Sequence, residues 1–304
     1  MSESLEAIIP NTRGKYAVIT GATSGIGLAA AQELAVRGAN LGIVARNASK
    51  ANEVADRLRA STGNRITVDV FIADMSSQRS IRQAANEILE KCQKIDILIN
   101  NAGAMFVNHK LTEDGLEMTM AVNHFAPFLL TTLLLERLME SEHARVITTS
   151  SHGHKMAMKG IDFDDLSGKR FFGFLGKLKG GPNFRYGETK LANILFTAEL
   201  AQRLKGTNVS AYCFDPGLVA TNFNRDNGWM ARMTTAAMMR FARTPEKGAE
   251  TLIWLADTDE KNLESGRYYA DKQVGTLSAQ ARNTEAAKKL WEVSESHIHA
   301  SKER

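Results

Sequence analysis

The chain has 304 residues, 43% of them hydrophobic and 24% charged, with a formal net charge of +4. This is globular composition, which excludes a disordered or fibrous chain, and the length allows one α/β domain with a sizeable core. The positive excess forms no run of five like charges, so nucleic-acid binding has no support, and the two cysteines, Cys92 and Cys213, sit in no paired motif, which argues against a disulfide framework or a cysteine zinc site.

Residues 1–13 are polar, acidic at first, and lack a long apolar core. They read as an N-terminal extension, not a signal peptide. Lys15–Thr20 is a short β-branched run ended by Gly21, the pattern of a buried strand. Gly25–Arg37 is helical in character and stops at Gly38, a residue suited to a C-terminal cap. Asn40–Ala45 predicts a second strand, and Ser49–Ala60 a helix with Ser49 as N-cap. Ile66–Ile72 reads as a strand, Ser76–Cys92 as a helix and Ile95–Ile99 as a strand. Asp114–Met139 reads as a helix and Arg145–Thr149 as a strand. Tyr186–Leu204 is helical, Asn208–Phe214 a strand, and 283–304 a C-terminal helix and tail. The alternation predicts one α/β domain: a doubly wound parallel sheet, a Rossmann fold of about seven strands with helices on both faces.

Two segments break the alternation. Residues 152–185 form a long insertion holding Phe171, Phe172, Phe174 and Leu175 among glycines and lysines. Residues 221–244 are rich in methionine. Both follow predicted strands, where such sheets bind ligands. The stretch with most apolar residues, Ala121–Leu135, falls short of a spanning helix, so a buried helix and no integral membrane segment are expected.

The residues Thr20–Gly27 read TGATSGIG. The three glycines, Gly21, Gly25 and Gly27, do not have GxGxxG spacing. They share its physics, because small residues let the backbone approach a pyrophosphate at a helix N-terminus. A tight turn with no ligand is the plain alternative. Thr23, Ser24 and Ile26 belong to the same candidate cradle. At the end of the second strand Ala45–Arg46–Asn47 holds no carboxylate to bind a ribose 2′-hydroxyl. Arg46 can instead grip a 2′-phosphate, which points to NADP, or it is a solvated surface arginine. Asp74 can accept a hydrogen bond from an adenine amino group or cap a helix. Asn101, Ala102 and Gly103 can border the adenosine or brace neighbouring strands.

Seven motifs now stand in one order: TGATSGIG at 20–27, Asp74, NNAG at 100–103, Asn123, Ser151, YGETK at 186–190 and DPG at 215–217. In that order they resemble the short-chain dehydrogenase/reductase family. AVNHFAPFLLT at 121–131, TTSSHGH at 148–154, DFDDL at 162–166, ETKLANILF at 188–196, GRYYAD at 266–271 and LWEVS at 290–294 resemble its retinol-dehydrogenase-like branch. The resemblance implies an oxidoreductase with Asn123, Ser151, Tyr186 and Lys190 as its catalytic set. Ser151 would hydrogen-bond the substrate oxygen, with neighbouring Ser150 the competing candidate. Asn123 would hold a water linking Lys190 to solvent. Tyr186 and Lys190 would also touch the cofactor, Pro216 and Gly217 would shape the nicotinamide pocket, and Thr221 would touch the pyrophosphate or cap the next element. Membrane-bound members carry an apolar N-terminal anchor. Residues 1–13 show none, so a soluble, cytoplasmic enzyme is expected and retinoids are not implied as substrates.

The chemistry fits the spacing. Tyr186 and Lys190 lie four apart on a helix and share a face. A phenol normally titrates near ~10. A neighbouring ammonium is expected to lower that value and make Tyr186 a general acid/base, while the dinucleotide carries the hydride.

On the substrate side the insertion is either a cover over the pocket or a surface excursion with its own apolar cluster. Trp229–Phe241 predicts a methionine-lined lid for an apolar substrate. Core packing, or a surface-lying helix bearing Arg232, Arg240 and Arg243, are its alternatives. His152 and His154 lack a third metal ligand, so no metal is expected and solvated or substrate-facing histidines are the reading. The partner is then a small carbonyl or alcohol. The apolar helix over 121–138 can pair with a second copy as a homodimer or serve as core. A non-catalytic NADP-binding redox sensor is the competing class, disfavoured because it needs no complete catalytic set. A sugar-nucleotide epimerase, which also uses YxxxK, differs in glycine spacing and in its larger C-terminal substrate domain.

Overall fold

The computed structural model describes residues 10–219 and 242–300. Eight strands join one sheet: β1 (Tyr16–Thr20), β2 (Asn40–Ala45), β3 (Val68–Ile72), β4 (Ile97–Asn100), β5 (Ala144–Thr149), β6 (Val209–Asp215), β7 (Tyr268–Ala270) and β8 (Gln273–Val274). Their spatial order is β3-β2-β1-β4-β5-β6-β7-β8. Every neighbouring pair is parallel except β7 and β8. The chain winds outward from β1 in one direction and from β4 in the other, so the cleft between their carboxyl ends is where such a sheet binds ligands. The expected seven strands become eight because a short antiparallel strand closes the far edge. Asp271 and Lys272, both with positive φ, make the tight turn before it.

The long helices are α1 (Gly25–Val36), α2 (Ala48–Ser61), α3 (Gln78–Lys91), α4 (Met118–Met139), α5 (Gly181–Arg203), α6 (Pro245–Asp257) and α7 (Thr284–Ala300), and two short ones, Lys169–Phe172 and Phe174–Leu178, lie in the insertion. Side-chain alternation along β1 explains the layers. Ala17 and Ile19 pack with α1, α2 and α6 on one face. Val18 packs with α3, α4 and α5 on the other.

Three boundaries depart from the sequence reading. Helix α2 is capped by Asn47, whose side chain accepts from the Lys50 N–H at 2.9 Å, and Ser49 lies inside the first turn. Helix α4 begins at Met118, not Asp114, because Glu117 caps it by accepting from the N–H groups of Thr119 and Met120. Helix α5 begins five residues before Tyr186. Gly180 turns the chain at φ +80°, and Pro182 stands in the first turn, where its missing N–H has no intrahelical acceptor to lose. Gly38 ends α1 as expected: its N–H reaches Ala35 O and that of Ala39 reaches Leu34 O, the paired pattern of a glycine-terminated helix.

Helix α4 runs 22 residues, long and apolar enough by length and composition to cross a membrane, but 83% of its most apolar stretch is buried inside the fold. It is a core helix. It also contains a wide turn, Ala121–Phe125, with π-type bonding. Such bulges are frequent at functional sites, and this one carries Asn123 and His124.

Candidate active site

Tyr186 and Lys190 stand on successive turns of α5. The Lys190 ammonium lies 5.4 Å from the Tyr186 ring centre and donates to the Thr149 carbonyl at 3.1 Å. Ser151 follows the end of β5, and its hydroxyl lies on the Tyr186 side: a Cβ on Gly153 would meet Ser151 Oγ at 3.4 Å and the Tyr186 ring at 3.5 Å. The same oxygen accepts from the Gly153 N–H at 3.1 Å, which fixes its direction. Ser150 is the other member of the pair, and the structure separates them. Its hydroxyl is buried and donates to the Lys190 carbonyl at 2.7 Å, tying β5 to α5.

Asn123 sits on the wide turn of α4. Its Oδ1 accepts from the Ala104 N–H at 2.8 Å, and its Nδ2 donates to Ala104 O at 2.9 Å and to Thr189 Oγ1 at 3.0 Å. The side chain thus clips the loop after β4 onto α5. Gly103 lies between these groups. A Cβ there would meet Asn123 Oδ1 at 3.1 Å and Lys190 Nζ at 3.6 Å. Asn123, Ser151, Tyr186 and Lys190 therefore converge at one end of the sheet.

The electrostatics correct one expectation. Burial holds the Tyr186 phenol above its ordinary value; the neighbouring Ser151 hydroxyl opposes this and the Asp215 carboxylate adds to it. Burial also pushes Lys190 down to about 8, against the pull of Cys213 and Asp215. The anticipated acidification of Tyr186 by Lys190 is absent from the protein alone. The ammonium is itself desolvated and bonded to Thr149, so desolvation decides the sign at both groups.

The glycine turn has the predicted form. Gly21 and Gly25 have φ of +72° and +56°, a region open to glycine. A Cβ on Gly27 would meet Asn101 Nδ2 at 2.5 Å and come nearer still to the Gly21 carbonyl. Ser24 stands at the N-cap with no side-chain cap bond, and no acidic residue occupies the first turn of α1. The N–H groups around Gly25, Ile26 and Gly27 therefore end in an uncapped, positively polarised terminus beside Thr23. Asn101 works as a brace. Its N–H and that of Ala102 donate to Thr20 Oγ1 at 3.0 Å, and its Nδ2 donates to Thr20 O at 3.0 Å. Asp74 accepts from Ser76 N–H and Oγ at 2.9 and 2.7 Å, a local turn; Ser77 caps α3. Arg46 is exposed, and among the described residues it has no ion-pair partner. Pro216 is buried and Gly217 has φ +75°, with its N–H on Asp215 Oδ1 at 2.8 Å. Thr221 and the stretch Trp229–Phe241 lie outside the described residues.

Some site residues escaped the sequence reading. Asn193 Nδ2 donates to the Thr149 carbonyl at 3.0 Å, the atom that also receives Lys190. Its place one turn beyond Lys190 was a visible clue. Asp215 is buried and accepts from Tyr268 Oη at 2.9 Å. The Tyr268 ring packs edge-on against His154 at 5.2 Å, and His154 Nδ1 contacts Ser151 O at 2.9 Å. His154 is thus a buried buttress under Ser151, not a solvated group; His152 is exposed.

Comparison with known proteins gives the family. The family model for short chain dehydrogenase matches residues 15–162. Retinol dehydrogenase 11 of Homo sapiens is 41% identical over 281 residues, covering 92% of this chain and 85% of that protein. The chain belongs to the short-chain dehydrogenase family, in its retinol-dehydrogenase-like branch. A solved structure from Mycobacterium Paratuberculosis aligns with this dehydrogenase at TM-score 0.75 and 31% identity, over 96% of each chain. The Pseudomonas aeruginosa RhlG/NADP active-site complex aligns at TM-score 0.65 and 27% identity, over 86% of this chain and 97% of that one. As a short-chain dehydrogenase, the chain is an oxidoreductase on a doubly wound sheet.

Proposed function

We propose that the enzyme is NADP-dependent and interconverts a ketone or aldehyde with its alcohol on an apolar small molecule in the cytoplasm, with Tyr186 as acid/base. The observation that carries this reading is the convergence of three groups: Ser151 Oγ and the Tyr186 ring would both touch a Cβ on Gly153, at 3.4 and 3.5 Å, and the Lys190 ammonium lies 5.4 Å from the Tyr186 ring centre. The turn at 20–27 fits a dinucleotide, since Gly21 and Gly25 take positive φ, Gly27 lets α1 pack closely on the Gly21 carbonyl and Asn101, and the α1 terminus is uncapped. Bound NADPH supplies the hydride.

In this reading Gly21, Thr23, Ser24, Gly25, Ile26 and Gly27 hold the pyrophosphate, with Thr221 on the same group. Arg46, exposed and free of carboxylates among the described residues, takes the 2′-phosphate. Asp74 and the loop Asn101, Ala102 and Gly103 border the adenosine. Lys190 grips the nicotinamide ribose, and Pro216 and Gly217 line the ring's pocket. Ser151 donates to the substrate oxygen. The Tyr186 phenol would give its proton to that oxygen, so that the reduced carbonyl leaves as an alcohol. A phenol held protonated by burial suits this reductive direction. Asn123 positions the loop at 103–104 beside Lys190, through which the spent proton is replaced from solvent. The RhlG/NADP complex supports the choice of cofactor.

The test is oxidation of NADPH and of NADH by purified protein against a panel of ketones, aldehydes and quinones. Turnover on apolar carbonyls with clear NADPH preference is expected, and Arg46→Ala should reduce that preference by about tenfold or more, as loss of a charge-assisted phosphate contact implies. A clear NADH preference would overturn the cofactor assignment.

A further inference from the structure

The insertion carries a face that the reaction does not use. Its base is pinned to the fold. Phe172 is buried, with its ring 5.4 Å from that of His109; His109 Nε2 meets Ser167 O at 2.9 Å, and the Arg185 guanidinium bonds Leu166 O. Beyond this base the short helix Phe174–Leu178 presents its apolar side chains outward: Phe174 is 84% exposed, Leu175 66% and Leu178 75%. Among the described residues these three are large, adjacent and uncovered, which marks an interaction surface, not scattered apolar residues.

The charge around them is one-signed. Residues 167–181 hold Lys169, Arg170, Lys177 and Lys179 and no carboxylate. Arg170 is neutralised by Asp162 and Glu188. Lys177 donates to the neutral Asn108 Oδ1 at 2.8 Å, and among the described residues neither it, Lys169 nor Lys179 has an ion-pair partner. The ammonium groups therefore flank the apolar tip on both sides with their charge uncompensated. A second copy meeting this face would set lysines against lysines. Anionic phospholipid headgroups satisfy the lysines while the Phe174 and Leu178 side chains enter the acyl boundary.

We infer that the tip at 174–179 is a peripheral docking surface for an anionic lipid bilayer. It is joined to the catalytic helix, because Arg170 reaches Glu188 two residues from Tyr186. Docking brings the catalytic helix near the bilayer, the reservoir of apolar molecules. The binding itself does not depend on the reaction assigned above.

The experiment is co-sedimentation of the full chain with vesicles of phosphatidylcholine alone or mixed with phosphatidylserine, at physiological ionic strength. Wild type is expected to pellet with the mixed vesicles and at least about tenfold less with the neutral ones, since a few surface lysines contribute that much. Phe174→Glu with Leu178→Glu, and separately Lys177→Glu with Lys179→Glu, should each weaken binding by about tenfold or more. All four positions are exposed, so the melting temperature should hold. Wild type remaining in the supernatant with the mixed vesicles would overturn the proposal, as would equal binding by wild type and both variants. A dimer in light scattering that Phe174→Glu converts to monomer would also overturn it, by showing the face to be a contact between copies. No arm reads turnover, so failure here leaves the oxidoreductase reading to its own test.

Discussion

Lys190 shows how burial sets chemistry at a single residue. Its ammonium is held at about 8 by desolvation, with Cys213 and Asp215 pulling the other way. Below that value it is charged and can orient the ribose and Tyr186. Above it the charge is lost, while the phenol, raised by the same desolvation, keeps its proton. The efficiency of carbonyl reduction should therefore fall as pH rises through about 8. A kcat/KM profile checks this, and a flat profile through that region would contradict it. The spacing of Tyr186 and Lys190 was plain in the sequence. The direction of their shifts was not, since it depends on how much water the folded site excludes and on Asp215, which belongs to a different element.

Helix α5 carries the site because its first turns are locked from outside the catalytic face. Arg185 is 1% exposed, and its guanidinium pairs with Glu117 at 2.9 Å and Glu188 at 2.8 Å. Glu117 caps α4, so one cation joins the start of α4, the base of the insertion and the turn bearing Tyr186. Removing one partner of a buried ionic cluster leaves uncompensated charge and costs about 3–5 kcal/mol. Arg185→Met is accordingly expected to lower the melting temperature by many degrees; an unchanged melt would contradict this role. The sequence placed most elements because their apolar runs are clean, as in β1 and β2. It misplaced the start of α5 because Gly180, Gly181 and Pro182 read as a loop. It passed over Arg185 because a charged residue in an insertion is normally solvated. The wide turn in α4 was equally illegible, since nothing in the residues at 121–125 distinguishes π from α bonding.

At the scale of the molecule, the site exists because the chain reverses its winding direction between the parallel strands β1 and β4. Loops after β1, β4, β5 and β6 then open at one end. The glycine turn, Gly103, Ser151 and Asp215 come from those four loops or strand ends, and α4 and α5 bring Asn123, Tyr186 and Lys190 across. Much of this was legible because each motif follows a strand. The supporting shell was not: Asn193, Tyr268 and His154 act only through contacts far apart in sequence, such as Tyr268 on Asp215. The convergence stands or falls on the phenol. Tyr186→Phe keeps the ring and removes the transferable proton. NADPH binding, followed by fluorescence titration, should be unchanged, while turnover falls by ~10²–10⁴, the usual contribution of a positioned acid. Turnover near that of wild type, with the cofactor bound, would contradict the assignment of Tyr186.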